Sequence, residues 1–345
     1  MKSKSLPGYE QLSLIMQGHV AFQMLWAGVE LGIFDCLSKR PNLSEDDVGT
    51  ALGLQPRSAR VLLTGLRALQ VVEGDASGLR NSIAAEAMLT SHSETSWARA
   101  LGWQRHIVYP GAMDFVAALK QGTNVGLKHF PGEGDDLYTR LEYDPQLERV
   151  FQDAMSDLST SANELLLDGV DLSQTRHLVD LGGGDGTNAI AFAQRFPHLR
   201  VTLFDRGTVC AEAKAKISEA GLSERVSVRA GDLFTDALPQ DADAMLLAHM
   251  LTIWSPPKNI ALLRRVHDAL PSQGQALVFN MMADDDGAGP IGTALGSLYF
   301  LTIATGEGML YRWNEYELFL REAGLLPGPR QALPRDHGLI VGTKT

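Results

Sequence analysis

Three carboxylates follow three short apolar segments in the second half of the chain. Asp185 lies in the turn Gly182–Gly186, directly after the segment 177–181, and Asp205 and Asp232 close or follow the next two segments. If these segments are parallel strands, their carboxyl ends meet at one edge of a sheet, where ligands bind. Any one of these aspartates alone would pass for a helix cap or turn residue, but three in succession predict a nucleoside-binding site.

The glycine-rich turn allows the backbone to approach that ligand closely, because glycine adopts positive φ and has no Cβ. A dinucleotide-binding turn needs glycine at 182, 184 and 187, but position 187 is Thr. Asp185 would face a pyrophosphate unfavourably, whereas it suits the ammonium and sulfonium end of S-adenosylmethionine. Asp205, about twenty residues on, stands where a carboxylate accepts ribose hydroxyls. We therefore predict an S-adenosylmethionine site, with 231–234 near the adenine.

The elements that position these groups alternate between strand and helix after residue 175. Strands are predicted at 177–181, 200–205, 226–230, 244–248, 276–280 and 339–341. Helices are predicted near 187–196, 209–220, 258–269 and 313–324. This alternation predicts an α/β, Rossmann-like, doubly wound parallel sheet.

The first hundred residues have a different pattern. Residues 11–38 predict amphipathic helices, and 43–90 predict helix, turn, helix and hairpin, the order of a winged helix. A winged helix can bind DNA or serve packing and dimerisation. The second helix carries arginines, but the formal net charge of −11 disfavours a nucleic-acid partner and favours the packing role.

The composition argues against disulfide-rich, metal-binding and membrane-spanning proteins. Two distant cysteines, Cys36 and Cys210, form neither a disulfide framework nor a metal-ligand pattern, and they fit a cytoplasmic protein that needs no metal. No uninterrupted apolar stretch reaches about 20 residues, so no membrane span is predicted. The run 284–286 of three aspartates is expected to be a solvated loop.

The chain resembles the S-adenosylmethionine-dependent O-methyltransferases typified by plant caffeate enzymes and bacterial antibiotic-tailoring enzymes, over nearly its whole length. The matching segments are 151–159, the turn at 178–187, 204–205, 230–234, and Trp254 with the helix that follows it. The resemblance implies a homodimer and a substrate pocket between an N-terminal domain (1–100) with linking helices (101–170) and a catalytic domain (171–345). The residues expected at the cofactor are Gly182, Gly184, Asp185, Asp205, Asp232, Leu233, Met155, Ser156 and His249.

The sequence departs from that family at its catalytic base. The family has His, usually followed by Asp and Trp, where this chain has Thr252 and Ile253 before Trp254, and the two orienting acids correspond to Asn280 and Leu310. Thr252 and Asn280 can hydrogen-bond but cannot take a proton from a phenol near neutral pH.

Candidate replacement bases are His249, three residues before Thr252, and His106, in a helix expected to line the pocket beside Arg105. The expected function is methylation of a small aromatic or polyketide-like metabolite in natural-product biosynthesis. The family resemblance favours O-methylation. The absence of the usual base increases the weight given to C- or N-methylation. The alternatives are a reaction without methyl transfer, such as hydroxylation, decarboxylation or a pericyclase-like reaction, and a winged-helix regulator.

Overall fold

The computed structural model describes residues 8–93 and 95–345, apart from the side chain of Thr208. These residues form two compact units that divide between Arg105 and His106. The segment 106–170 thus belongs to the same unit as the sheet, whereas the three-part division at 100 and 170 stays a prediction.

The first unit is helical with one small hairpin. Its elements are α1 (Tyr9–Met16), α2 (Gly18–Glu30), α3 (Ile33–Lys39), α4 (Glu45–Ala51), α5 (Pro56–Ala68), β1 (Val72–Asp75), β2 (Gly78–Asn81), α6 (Ile83–Leu89) and α7 (Ala98–Trp103). Helix α4 begins at a capping box in which Ser44 and Asp47 bond each other's backbone N–H. Helix α5 begins with Pro56, whose missing N–H costs nothing in a first turn. The order α4, α5, β1, β2 confirms the predicted winged helix.

The second unit contains the larger sheet and the helices around it. Its helices are a π-helical turn (Gln104–Val108, which begins in the first unit), α8 (Tyr109–Ala112), α9 (Phe115–Gln121), a 3₁₀ turn (Val125–His129), α10 (Leu137–Leu141), α11 (Pro145–Gly169), α12 (Thr187–Arg195), α13 (Gly207–Glu219), α14 (Pro256–Ala269), α15 (Ile291–Thr302) and α16 (Trp313–Glu322). Its strands are β3 (His177–Leu181), β4 (Arg200–Asp205), β5 (Val226–Ala230), β6 (Ala244–Ala248), β7 (Gln275–Met281), β8 (Leu325–Pro327), β9 (Gln331–Ala332) and β10 (His337–Lys344).

The strand order in the sheet is β5-β4-β3-β6-β7-β10-β8, with β9 paired to β10. Strands β3 to β7 are mutually parallel, and the order reverses between β3 and β6, which is the switch point where ligands bind. The predicted doubly wound sheet is confirmed. One strand differs from the predicted parallel sheet, because β10 is antiparallel to both of its neighbours, β7 and β8. The connection from the end of β8 to the start of β10 is too short for the helical crossover that a parallel pair requires.

Both faces of the sheet are covered. Helices α14 and α16 bury Leu262, Leu263 and Phe319 on one face. Helices α11, α12 and α13 bury Leu166, Phe192 and other apolar residues on the opposite face. Every residue of β3 is buried, as expected for a central strand of a doubly wound sheet.

The described residues include neither a single membrane-crossing helix nor a metal-ligand cluster. No single described helix is long and apolar enough to cross a membrane, and only the bent pair α1 and α2 passes that test jointly, by length and composition. Among the described residues, no group of three His, Cys, Asp or Glu side chains could hold a metal ion.

Candidate active site

The turn after β3 has the glycine conformations that its sequence suggests. Gly182, Gly184 and Gly186 have φ of 71°, 56° and 87°, in the left-handed region that glycine adopts at no steric cost. A Cβ at Gly182 would collide with the sulfur of Met250, whereas a Cβ at Gly184 would meet no described heavy atom within 4 Å. The backbone at Gly184 is therefore open for a ligand to approach.

Asp205 lies beside this turn at the end of β4. Its Oδ2 accepts the Gly184 N–H at 2.8 Å and its Oδ1 accepts the Arg206 N–H at 2.6 Å. Burial raises the pKa of Asp205, against the opposing effect of these two hydrogen bonds. The carboxylate is thus held beside the turn, and each oxygen keeps a lone pair that can accept a hydrogen bond from a hydroxyl group.

The carboxylate of Asp185 makes its contacts with other side chains and backbone of the protein. Its Oδ2 lies 2.6 Å from the Lys216 Nζ, and its Oδ1 accepts the N–H and the hydroxyl of Thr187. Burial alone would raise the pKa of Asp185, but these partners outweigh it and the pKa lies below its usual value. Asp185 thus fixes the turn to α12 and α13, and the cofactor contact expected of it stays a prediction.

Asp180, on β3 just before the turn, is a further acidic residue at the site that the sequence pattern does not predict. It is 1% exposed, and neither of its carboxyl oxygens has a hydrogen-bond partner among the described residues. Burial first, and then the carboxylates of Asp205 and Asp185, raise its pKa to about 7. A lone acid inside the apolar string His177–Leu181 was the signal that could have identified it.

The remaining predicted cofactor residues occupy varied positions. Asp232 is exposed, and its Oδ1 accepts the backbone N–H groups of Phe234 and Thr235, as a turn aspartate does. Leu233 is half-buried against the core. Ser156 on α11 reaches the glycine turn, with its Oγ 3.4 Å from the Thr187 Oγ1, and Met155 is half-buried beside it on the same helix. Their roles toward a cofactor stay predictions.

These residues fit S-adenosylmethionine. The open backbone at Gly184 and the carboxylate of Asp205 would hold the nucleoside, and a cationic group such as an ammonium would stabilise the ionised form of the unpartnered Asp180 carboxyl. When bound, this cofactor supplies an electrophilic methyl group.

Thr252, where the resemblance predicts the family's base, is 1% exposed, and its hydroxyl donates a hydrogen bond to the carbonyl of His249 at 2.9 Å. Asn280 near the end of β7 is fully buried, and neither atom of its amide has a described partner. Leu310 is buried. The three positions therefore present no proton acceptor of the kind that phenol deprotonation requires.

His249 follows β6 and keeps partial solvent access although protein surrounds it closely. Burial first, and then the neighbouring His337, lower the pKa of His249 to about 3, so its imidazole is neutral near pH 7. Such a ring is a weak base toward a phenol of pKa near 10. His337 at the start of β10 was missed from the sequence, because no local pattern links two residues on different strands.

His106 is exposed within the π-helical turn Gln104–Val108. Such turns often accompany functional sites. Its role as a base stays a prediction.

Comparison with known proteins gives the family. Residues 114–326 match the O-methyltransferase domain, and residues 13–91 match the O-methyltransferase dimerisation domain.

Three relatives span nearly the whole chain. An L-tyrosine C(3)-methyltransferase of Streptomyces lavendulae is 37% identical over 339 residues, covering 97% of this chain and 93% of the relative. A 3-hydroxy-5-methyl-1-naphthoate 3-O-methyltransferase of Streptomyces sahachiroi is 31% identical over 324 residues, covering 93% and 91%. The crystal structure of the S-adenosylmethionine-dependent methyltransferase SibL superposes with a TM-score of 0.83 at 40% identity, covering 97% and 98%. The chain therefore belongs to the O-methyltransferase family and is an S-adenosylmethionine-dependent methyltransferase of small molecules.

Proposed function

We propose that this protein methylates an aromatic ring carbon next to a phenol hydroxyl, on a small substrate related to tyrosine. The observation that carries the proposal is Thr252, which replaces the family's base and commits its hydroxyl to the His249 carbonyl. The tyrosine C(3)-methyltransferase, 37% identical, supports both the acceptor atom and the substrate class.

The chemistry explains why a base at position 252 is dispensable for this reaction. O-methylation of a phenol needs removal of a proton whose pKa is near 10, and a nearby base normally takes it. A ring carbon that is activated by the adjacent hydroxyl attacks the methyl group before it loses its proton. Position 252 can therefore lack a base without preventing C-methylation.

The two positions that the resemblance assigns to the orienting acids agree with this proposal. Asn280 cannot act as the acid that would orient a histidine, and Leu310 has no ionisable group. The base and both of its supporting groups are thus replaced together.

The test is product analysis with methyl-¹³C-labelled S-adenosylmethionine and L-tyrosine, followed by other hydroxylated aromatic amino acids. The expected product carries an aryl C–CH₃ resonance ortho to the hydroxyl. A methoxy resonance would make the protein an O-methyltransferase, as for the naphthoate relative, and an N-methyl resonance would also overturn the proposal.

We also propose that the protein works as a homodimer in a reducing, cytoplasmic setting. The dimerisation-domain match over 13–91 supports the dimer, as do the apolar side chains of α1, with Leu12 and Ile15 69% and 66% exposed. The free cysteines Cys36 and Cys210 suit a reducing compartment.

A further inference from the structure

Three rings meet at the C-terminal edge of the parallel strands. His249 lies edge-to-face with Phe279 (centroids 5.2 Å apart) and with His337 (5.3 Å), and Phe279 and His337 stack at 5.1 Å. They come from the residue that follows β6, from β7 and from the start of β10. The sheet register thus brings together two histidines that are 88 positions apart in sequence.

The hydrogen bonds of the two imidazoles define what they can do. The Nδ1 of His337 lies 2.7 Å from the carbonyl of Arg335, which only accepts, so Nδ1 carries the hydrogen and Nε2 is the basic nitrogen of the neutral ring. Neither ring nitrogen of His249 has a hydrogen-bond partner among the described residues. His249 also keeps partial solvent access. An imidazole that is enclosed, reachable and without a partner is available to a ligand.

The backbone of His249 lies one residue from a contact with the cofactor turn. His249 is followed by Met250, whose sulfur packs against Gly182. His249 itself has a φ of 56°, in the left-handed region that strains a non-glycine residue. Strained residues of this kind concentrate at functional sites.

We propose that His249 accepts the proton that the substrate's ring carbon loses on methylation, and that His337 positions His249 for that step. This inference rests on the proposed C-methylation. To the proposed C-methylation it adds the identity of the proton acceptor, His249. It also adds a positioning residue, His337, which acts through His249.

The step balances without a further reagent. The ring carbon beside the phenol hydroxyl forms a bond to the methyl carbon, while the methyl–sulfur bond breaks and its electron pair stays on sulfur. The methylated ring then carries the positive charge. Its C–H bond breaks, the electron pair returns to the ring, and the proton goes to a nitrogen of His249.

A weak base suffices for this proton because its loss restores aromaticity, so the methylated ring is a far stronger acid than a phenol. The lowered pKa of His249 is thus no obstacle, and it keeps the imidazole unprotonated and ready near neutral pH. The edge-to-face contacts with Phe279 and His337 hold the His249 ring in one orientation, which is the positioning role assigned to His337.

The experiment compares full-length wild type with His249→Gln, His337→Gln and His337→Phe, and uses the exposed His92→Gln as the matched control. The substrate is L-tyrosine, either unlabelled or deuterated at the carbons beside its hydroxyl. His249→Gln should lower kcat about 10²-fold. It should also produce a primary isotope effect that wild type and His92→Gln lack, because proton loss becomes slow.

His337→Gln should show the same isotope effect with a smaller loss of kcat. His337→Phe, which keeps a ring beside His249, should recover most of the wild-type kcat.

Binding of S-adenosylhomocysteine, measured by calorimetry, should stay within twofold of wild type in His337→Gln, His337→Phe and His92→Gln. For His249→Gln, whose residue is itself expected at the cofactor, an unchanged thermal unfolding midpoint separates this role from damage to the fold. C-methylation by wild type, with rates and isotope effects unchanged in His249→Gln and His337→Gln, would overturn this inference alone. Absence of any C-methylated product from wild type would overturn the proposed function as well.

Discussion

Asp180 holds a carboxyl group beneath the glycine-rich turn with no hydrogen-bond partner among the described residues. A Cβ at Gly183 would lie 2.6 Å from its Oδ2, so the turn fits tightly over it. A buried carboxyl in this state opposes folding when it ionises, and a nearby cation reverses that effect. Protonation, folding and cofactor binding should therefore be linked at this one residue.

The first prediction concerns the pH dependence of the ligand-free protein. The folded-state pKa of Asp180 is about 7, against a usual 3.8, so the unfolded chain releases this proton at a lower pH than the folded protein. Its contribution to stability is complete below about pH 4 and is lost as pH rises through about 7. In thermal melts across this range, Asp180→Asn should gain Tm relative to wild type as pH rises. The exposed Asp232→Asn should follow wild type, and parallel profiles for Asp180→Asn would mean that Asp180 ionises normally.

The second prediction concerns cofactor affinity at the same side chain. An ammonium group near Asp180 would lower the pKa of that carboxyl, so binding should release a proton and strengthen as pH rises toward 7. Asp180→Asn should weaken S-adenosylmethionine binding about tenfold at pH 8, a difference of about 1.4 kcal/mol. It should also remove the pH dependence. Calorimetry in buffers of different ionisation enthalpy counts the released protons, and an unchanged count in the variant would contradict the assignment.

The third prediction isolates Thr252. Thr252→Val keeps the shape and removes the hydroxyl, leaving the His249 carbonyl without its donor, at a cost of about 1 kcal/mol in unfolding free energy. The kcat for methylation should stay within about twofold, because Thr252 takes no proton. Urea unfolding and steady-state kinetics check the two expectations. A large loss of kcat with stability retained would show that the hydroxyl takes part in the reaction.

The glycine-rich turn 182–186 is held in place by contacts with the helices and the strand around it. Asp185 ties it to Lys216 on α13, Asp205 anchors Gly184 from β4, and Ser156 approaches its C-terminal end from α11. These contacts hold the backbone open at Gly184 before any ligand arrives. Preorganisation of this kind lowers the conformational cost of binding.

The fourth prediction compares two glycines of that element. Alanine at either position pays about 1–2 kcal/mol for its left-handed φ. Gly182→Ala adds a clash with Met250, worth about 1–3 kcal/mol, whereas Gly184→Ala projects its methyl group into open space. Gly182→Ala should therefore lose more stability in urea unfolding, and Met250→Ala should recover part of that loss in a double-mutant cycle. Equal losses in the two single variants would contradict the packing argument.

At the scale of the whole molecule, local patterns predicted much of the fold. The strands at 177–181, 200–205 and 226–230 begin and end as expected, because apolar runs between turns define central parallel strands. Helix α15 and the direction of β10 were not predicted, because they depend on packing and on the length of a connection. The turn and Asp205 could be found by spacing. The contact between His249 and His337 could not, since it depends on which strands are neighbours in the sheet.

The last prediction concerns assembly. Helix α1 exposes five large apolar side chains to solvent in the single chain: Tyr9, Leu12, Leu14, Ile15 and Met16. Exposed large apolar side chains concentrated on one helix favour a protein contact, and the dimerisation-domain match, which begins at residue 13, includes three of them: Leu14, Ile15 and Met16. Leu12→Glu with Ile15→Glu should turn a dimer into a monomer in sedimentation velocity at micromolar concentration, because burying two unpaired carboxylates opposes association. Gln11→Glu adds a charge at an exposed polar position of the same helix and should stay dimeric. A monomeric wild type, or a dimeric double variant, would exclude this helix as the interface.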